Sequence, residues 1–145
     1  MAHMRNLILE TDGASRGNPG LAGAGIIIRD DRGQKVESHF EFLGVHTNNQ
    51  AEYRALIEGL KAVTRHQPTA VTVKMDSELV VRQMSGQYRV RNPDLLPLYA
   101  EAMELAMALP DVNFVHVPRE NNPGADHLAN VAIDSRMVRG RGASD

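Results

Sequence analysis

The first third of the chain carries short apolar runs separated by turn-forming residues, which is the pattern of β-strands. An apolar, branched run covers residues 6–12 and stops at the glycine-rich stretch 13–20. Two further runs, residues 24–29 and 36–43, flank Asp30-Asp31-Arg32-Gly33, whose Asp and Gly content is typical of a hairpin turn. The pattern therefore predicts three consecutive strands that pair antiparallel.

The period of the apolar positions changes at residue 49. From there they recur at spacings of three and four, which indicates a helix with one inward face. Asn49 and Glu52, three residues apart, resemble a capping pair at its start. After a strand-like run at 70–75, Ser77 begins a short amphipathic helix that Gly86 ends. We expect helix, strand and helix in this order.

The remainder of the chain alternates in the same way. A longer helix begins at Asp94 and is closed by Pro110. A fifth strand covers residues 112–117, and a last helix with Leu128 and Ile133 on its apolar face follows a loop. Three strands, a helix, a strand, two helices, a strand and a helix predict an α/β fold, a mixed sheet with helices packed against its faces.

The length of 145 residues, 42% of them hydrophobic, fits one globular domain. We place this domain at residues 4–138. Met1-Ala2-His3, which precedes Met4, resembles an expression-tag remnant, and residues 139–145 are expected to form a flexible tail.

Composition narrows the possible chemistry. The chain has no cysteine, which excludes disulfides and thiolate metal sites and favours a reducing cytoplasm. No apolar run approaches the roughly 18 residues that span a membrane, so we expect no membrane association. The formal net charge of −2 provides no global basic field for nucleic acid. Arg82, Arg89 and Arg91 fall close together and form either a local phosphate-binding surface or a solvated face.

Four carboxylates are candidates for a functional site, and each also has an ordinary structural explanation. Asp12 and Asp76 end predicted strands, where α/β sheets build their sites but where Asp also caps turns. Glu52 shares a helix face with Leu56, so it must meet a cation, become protonated, lie at a rim or cap its own helix. Asp126 lies in the first turn of a helix, where the helix dipole alone favours an acid.

The segments that contain these carboxylates resemble, in order, the four motifs of the type 1 ribonuclease H family. The first is TDGASRGNPG at residues 11–20, and the second is TNNQAE at residues 47–52. Asp76-Ser77 after a strand and ADHLA at residues 125–129 are similar to the third and fourth. The resemblance extends from Arg5 to about Arg136. It implies a five-stranded mixed sheet, three antiparallel strands followed by two parallel ones, with helices on both faces.

The resemblance also implies a reaction. Two divalent cations, Mg²⁺ with Mn²⁺ as a substitute, would be held by Asp12, Glu52, Asp76 and Asp126. Asp12 would bridge both ions, Glu52 and Asp76 would hold the ion nearer the attacking water, and Asp126 would complete the ion nearer the leaving group. The implied activity is endonucleolytic hydrolysis of the RNA strand of RNA/DNA hybrids to 5′-phosphate products, with little sequence preference.

A set of polar residues would recognise the substrate. Their amide and hydroxyl groups would contact phosphates and the 2′-hydroxyl that distinguishes RNA from DNA. A polar turn and a helix cap explain Thr47 and Asn49 equally well, and we expect both roles to coexist. The predicted substrate-binding set is Asn18, Thr47, Asn48, Asn49, Gln50 and Arg119.

The chain departs from better-known bacterial members of the family in two places. The loop at residues 117–123 contains no histidine, and Arg119 or Glu120 is the expected substitute. His116 and His127 are expected to be structural or exposed to solvent. The chain also lacks tryptophan and a basic insertion between the second and third helices, so hybrid affinity should depend strongly on salt.

Other functions remain open at this point. A non-catalytic hybrid-binding module would keep the fold, but all four carboxylates are present, which favours the enzyme. Another nuclease on a related fold would share the acidic cluster without TNNQ at residues 47–50. Double-stranded RNA is a possible additional substrate, and no obligate protein partner is implied.

Overall fold

The order of elements along the chain agrees with the predicted order. The computed structural model describes residues 5–142, so the predicted tag remnant at residues 1–3 and the last part of the predicted tail, residues 143–145, lie outside the described residues. The described elements are β1 (Asn6–Ser15), β2 (Gly20–Asp30), β3 (Lys35–His46), α1 (Asn48–Thr64), β4 (Ala70–Met75), α2 (Glu78–Met84), α3 (Leu96–Met107), β5 (Val112–His116), a 3₁₀ turn (Arg119–Asn121), α4 (Pro123–Ser135) and β6 (Gly140–Arg141).

The strands form one mixed sheet in the order β5-β4-β1-β2-β3-β6. β1, β2 and β3 pair antiparallel, and in the turn between β2 and β3 the Gly33 N–H donates to the Asp30 carbonyl oxygen across 3.0 Å. β4 runs parallel to β1, and β5 runs parallel to β4. The predicted arrangement of three antiparallel strands followed by two parallel strands is therefore confirmed.

A sixth strand corrects the expected count of five. Gly140 pairs with Phe40 and Arg141 pairs with His39, so these two residues are part of the sheet and not of a flexible tail. Gly140 lies directly on the Phe40 ring, where any Cβ atom would overlap the ring carbons. A strand of two residues is too short to show a periodic pattern, so it could not be predicted from the sequence.

Helices cover both faces of the sheet, as predicted. The side chains of β2 alternate between the two faces of the sheet, so Ile26 and Ile28 lie in one core and Ile27 lies in another. The larger core packs α1, α2 and α3 against the sheet, and Leu56 and Leu60 of α1 are fully buried in it. The smaller core lies under α4. Within residues 5–142 no helix is both long and apolar enough to cross a membrane.

The start of α1 differs from the predicted capping pair. Thr47 is the N-cap, and its hydroxyl accepts from the Gln50 N–H at 3.2 Å while Gln50 Oε1 accepts from the Thr47 N–H at 2.8 Å. Asn49 and Glu52 are therefore not the capping pair, because the N-cap lies two residues earlier than predicted. The side chain of Glu52 is left available for another interaction.

Candidate active site

The site lies where β1 and β4 separate at their carboxyl ends. Their parallel pairing stops at Glu10 and Lys74, two residues before Asp12 and Asp76 respectively. β1 continues to Ser15 by pairing with β2, so Asp12 lies within the strand and not at its end as predicted. The N-terminus of α1 packs over this opening, and Gly13 contacts the backbone of Ala51.

Three carboxylates converge at this opening. Oxygen atoms of Asp12, Glu52 and Asp76 all lie within 4.8 Å of one another. Asp12 and Glu52 are buried, at 5% and 8% relative exposure, and Asp76 is half-buried. Glu52 Oε1 accepts from the Gly13 N–H across 2.8 Å, which fixes its carboxylate against β1. The structure thus joins three residues that are separated by 40 and 24 positions in sequence.

Asp126 completes the cluster from the opposite side of the sheet. It lies half-buried in the first turn of α4, and it is close enough to Asp12 to contribute to the raised pKa of that carboxyl group. Its Oδ1 also lies 3.5 Å from an Arg119 guanidinium nitrogen, in an ion pair whose arginine side chain is 76% exposed. All four predicted carboxylates are therefore neighbours.

The cluster carries more negative charge than its surroundings balance. Burial raises the pKa of Asp12 far above its ordinary value, and the charges of Glu52 and Asp76 raise it further. Burial also raises the pKa of Glu52, against the lowering effect of the Gly13 N–H. In the part of the chain that the structure describes, no Lys, Arg or His forms an ion pair with Asp12, Glu52 or Asp76.

This donor set fits a divalent metal ion. Carboxylate oxygens are the ligands that hard divalent cations prefer, and a buried cluster without cationic side chains needs positive charge from elsewhere. The chain provides neither thiolates nor, at this position, imidazoles. The arrangement can therefore hold a metal through oxygen ligands.

Most of the predicted substrate-binding residues form a rim beside the carboxylates. Asn18 Oδ1 accepts from the Asn48 N–H at 3.2 Å, and Asn48 Oδ1 accepts from the Ser15 N–H at 3.1 Å. Asn18, Asn48 and Asn49 are exposed, whereas Thr47 and Gln50 are half-buried in the capping box. Arg119 is not part of this rim and lies beside Asp126.

Neither neighbouring histidine is one of the carboxylates' partners. His116 Nδ1 lies 3.9 Å from a carboxylate oxygen of Glu78 on α2, and its side chain is 41% exposed. His127 is exposed on α4. These positions agree with the expectation that both are structural or exposed to solvent.

One buried polar residue at the site was missed by the sequence interpretation. Asn122 is 1% exposed, and its Nδ2 donates to the carbonyl oxygen of Thr11, the residue before Asp12. An Asn followed by Pro at the start of a helix is normally understood as a local cap. No signal in the sequence distinguishes that role from a bond to a strand 111 positions away.

Comparisons with known proteins agree with this geometry. A family model described as "Reverse transcriptase-like" matches residues 10–132. Bifunctional protein Rv2228c of Mycobacterium tuberculosis is 45% identical over 130 residues, which cover 89% of this chain and 36% of that protein. Ribonuclease HI of Halobacterium salinarum is 42% identical over 85% of this chain and 62% of its own length. The chain thus spans about a third to three fifths of these relatives.

Solved structures show the same similarity. The crystal structure of RNase H1 from Halobacterium salinarum has a TM-score of 0.87 and 39% identity, covering 90% of this chain and 98% of that one. LC11-RNase H1, solved in complex with an RNA/DNA hybrid, has a TM-score of 0.86 and 43% identity over the same shares of the two chains.

Proposed function

Since this chain belongs to the type 1 ribonuclease H family, we propose that it is an endonuclease that hydrolyses the RNA strand of RNA/DNA hybrids. One observation carries the proposal: the oxygens of Asp12, Glu52 and Asp76 lie within 4.8 Å of one another, and among the described residues no cationic side chain forms an ion pair with them. Such a cluster is unfavourable for stability, which supports a role in binding cations for catalysis.

The proposed cations are Mg²⁺ and, as a substitute, Mn²⁺, held by Asp12, Glu52 and Asp76 together with Asp126. Two such ions, when bound, supply an activated water molecule and stabilise charge on the leaving oxygen. The chain itself supplies the fixed geometry. Asp12 is held in β1 by pairing with Gly25 of β2, and the Gly13 N–H holds Glu52 in place.

The rim provides donors for the substrate backbone. The side-chain carbonyl oxygens of Asn18 and Asn48 accept hydrogen bonds from main-chain N–H groups. The side-chain NH₂ groups of the two residues take no part in these bonds, so they can donate to a substrate. Donors of this kind suit phosphate oxygens and 2′-hydroxyl groups, which do not depend on base sequence. Asn49 and the NH₂ group of Gln50 extend the same surface, while Thr47 acts mainly as the cap of α1.

Arg119 is the proposed substrate contact at the other side of the cluster. Its guanidinium is largely exposed and lies 3.5 Å from Asp126. It can therefore bind a phosphate near the leaving group without moving away from Asp126. An exposed ion pair of this kind adds little to stability. This supports a role in binding more than a role in folding.

The test is cleavage of a labelled RNA/DNA hybrid by the purified chain, with an RNA duplex and single-stranded RNA alongside, under Mg²⁺, Mn²⁺ or EDTA. Asp12→Asn is the inactive variant, and Asp31→Asn, at an exposed turn remote from the cluster, is its matched control. We expect metal-dependent loss of the RNA strand in the wild type and Asp31→Asn only. Binding of intact hybrid without cleavage would instead assign a non-catalytic hybrid-binding module.

The RNA-duplex arm defines the substrate range, since cleavage there would add double-stranded RNA to the substrates. No second protein is included, because we propose that cleavage needs no obligate partner. We also propose the cytoplasm as the compartment, which the absence of cysteine supports.

A further inference from the structure

Asn122 is a polar side chain buried beside the carboxylates without an assigned role. It is 1% exposed, and its Nδ2 donates to the Thr11 carbonyl oxygen across 3.0 Å. Its Oδ1 is buried and has no hydrogen-bond partner among residues 5–142. A buried polar group of this kind costs stability, so its single bond calls for an explanation.

The Asn122 side chain does not cap α4, although its position at the start of the helix predicts that role. Asn122 is the N-cap of α4, and Asn is among the best capping residues, yet its side chain makes no capping hydrogen bond. The first helical bond is made by its backbone, whose carbonyl oxygen accepts from the Asp126 N–H at 3.2 Å. The side chain is directed instead to β1.

The hydrogen bond from Asn122 to Thr11 connects two parts of the carboxylate cluster. Thr11 immediately precedes Asp12, and Asp126 lies four residues after Asn122 in the first turn of α4. The β4 pairing of β1 has already ended at Glu10, so Thr11 lies where the sheet no longer holds β1 on that side. The Asn122 bond therefore joins the strand that carries Asp12 to the helix that carries Asp126.

A second contact restricts the same helix. Any Cβ at Gly25, the β2 partner of Asp12, would overlap the Ala125 carbonyl oxygen. α4 therefore lies directly on β2, which limits its approach to the sheet. The Asn122 side chain adds a directional bond at the end of the helix, which limits its sliding and rotation.

We propose that Asn122 is a positioning residue that fixes the Asp126 carboxylate relative to Asp12 and thereby sets the affinity of the cluster for divalent cations. This inference rests on the proposed function for the role of Asp126, but metal affinity can be measured without any substrate. Supporting residues around metal ligands typically change affinity by about 10–100-fold when they are replaced.

The first variant is Asn122→Leu, which keeps a similar size and removes the bond. Asn122→Ala is the second variant, for use if leucine prevents folding. Gln83→Leu is the matched control, because Gln83 is also buried and accepts a hydrogen bond from the Tyr53 hydroxyl at 2.5 Å, between α1 and α2. Gln83→Leu removes this buried hydrogen bond, in which none of the four carboxylates takes part.

The measurement is Mn²⁺ binding to each folded protein without substrate, followed by the EPR signal of the free ion and by the rise in Tm that the ion causes. For an Asn122 variant we expect an affinity about tenfold weaker and a smaller metal-induced rise in Tm. On the hybrid, kcat should fall at limiting metal and recover at high metal, with KM for the hybrid unchanged.

The control separates positioning from simple destabilisation. Gln83→Leu should lower Tm in the metal-free state but leave the Mn²⁺ affinity unchanged. Wild-type affinity in both Asn122 variants, or an equal loss in Gln83→Leu, would overturn the inference. Failure of the wild type to cleave any hybrid would overturn the proposed function, while weaker Mn²⁺ binding by the variants would still support the positioning role.

Discussion

The Glu52 carboxylate accepts a hydrogen bond from the Gly13 N–H across 2.8 Å, and the two residues come from a helix and a strand that are far apart in sequence. This bond requires close approach of two backbones. Any Cβ at Gly13 would overlap the carbonyl group of Ala51, the residue before Glu52. The absence of a side chain at Gly13 thus decides where one of the four carboxylates lies.

Gly13→Ala should therefore impair both stability and activity. The added methyl group must displace α1 from β1, which we expect to cost about 1–3 kcal/mol of unfolding free energy. Hybrid cleavage should fall by about 100-fold, since misplacement by 1 Å has an effect of that size. Chemical denaturation and initial cleavage rates check the two effects.

The control for this substitution is Gly33→Ala at the β2–β3 turn. A Cβ there meets no atom of the described part of the chain within 4 Å, but the φ of +83° is unfavourable for alanine. We expect a loss of about 1–2 kcal/mol with an unchanged cleavage rate. Equal loss of activity in the two variants would show that stability, and not the position of Glu52, limits cleavage.

Asp12→Asn should abolish cleavage while making the metal-free protein more stable. The substitution preserves shape and removes a buried carboxyl group whose ionisation is opposed by burial and by the charges of Glu52 and Asp76. We expect a gain of about 1–3 kcal/mol in unfolding free energy without metal. Denaturation in EDTA measures it, with Asp31→Asn as the neutral surface control. A loss of stability would mean that Asp12 is needed for folding and that its charge is already balanced.

Stability of the metal-free protein should fall as the pH rises from about 4 through neutrality. Asp12 and Glu52 have folded-state pKa values above their ordinary values of 3.8 and 4.5, because burial and neighbouring carboxylates oppose ionisation. In this range the folded state therefore binds more protons than the unfolded state, and the unfolding free energy decreases with pH. Denaturation in EDTA from pH 4 to 8 tests the sign.

Two comparisons test whether Asp12 and Glu52, and not other titratable groups, cause this fall in stability with pH. Asp12→Asn should flatten the fall with pH, and excess Mg²⁺ should oppose it by binding the ionised carboxylates. A slope that is unchanged in Asp12→Asn would assign the effect to other groups.

The start of α1 offers a test that separates structural from substrate roles in TNNQ. Thr47→Ala should cost about 1 kcal/mol because it removes the cap of the helix. Asn49→Ala should change stability by less than about 0.5 kcal/mol, since Asn49 is exposed and is not the cap. Thermal denaturation measures both, and KM for the hybrid should rise in Asn49→Ala. A larger stability loss in Asn49→Ala than in Thr47→Ala would contradict the assigned cap.

The sequence by itself determined the order of the elements, the packing of helices against the faces of the sheet and the identity of the four acidic residues. Period-two and period-3.6 patterns are local, so every helix, and every strand except the two-residue β6, could be predicted from its own residues. The motif resemblance then placed Asp12, Glu52, Asp76 and Asp126 in one site, and the structure brings them together.

Only the tertiary structure decided how these elements meet. Asn49 and Glu52 had the spacing of a capping pair, but Thr47 and Gln50 form the cap, because the choice depends on where the backbone turns into the helix. β6 exists because Gly140 fits on Phe40, which is 100 positions away. Asn122 looks like a local cap in the sequence and bonds Thr11 in the fold. Each of these outcomes depends on a contact between distant segments, or on a backbone direction, that local patterns do not encode.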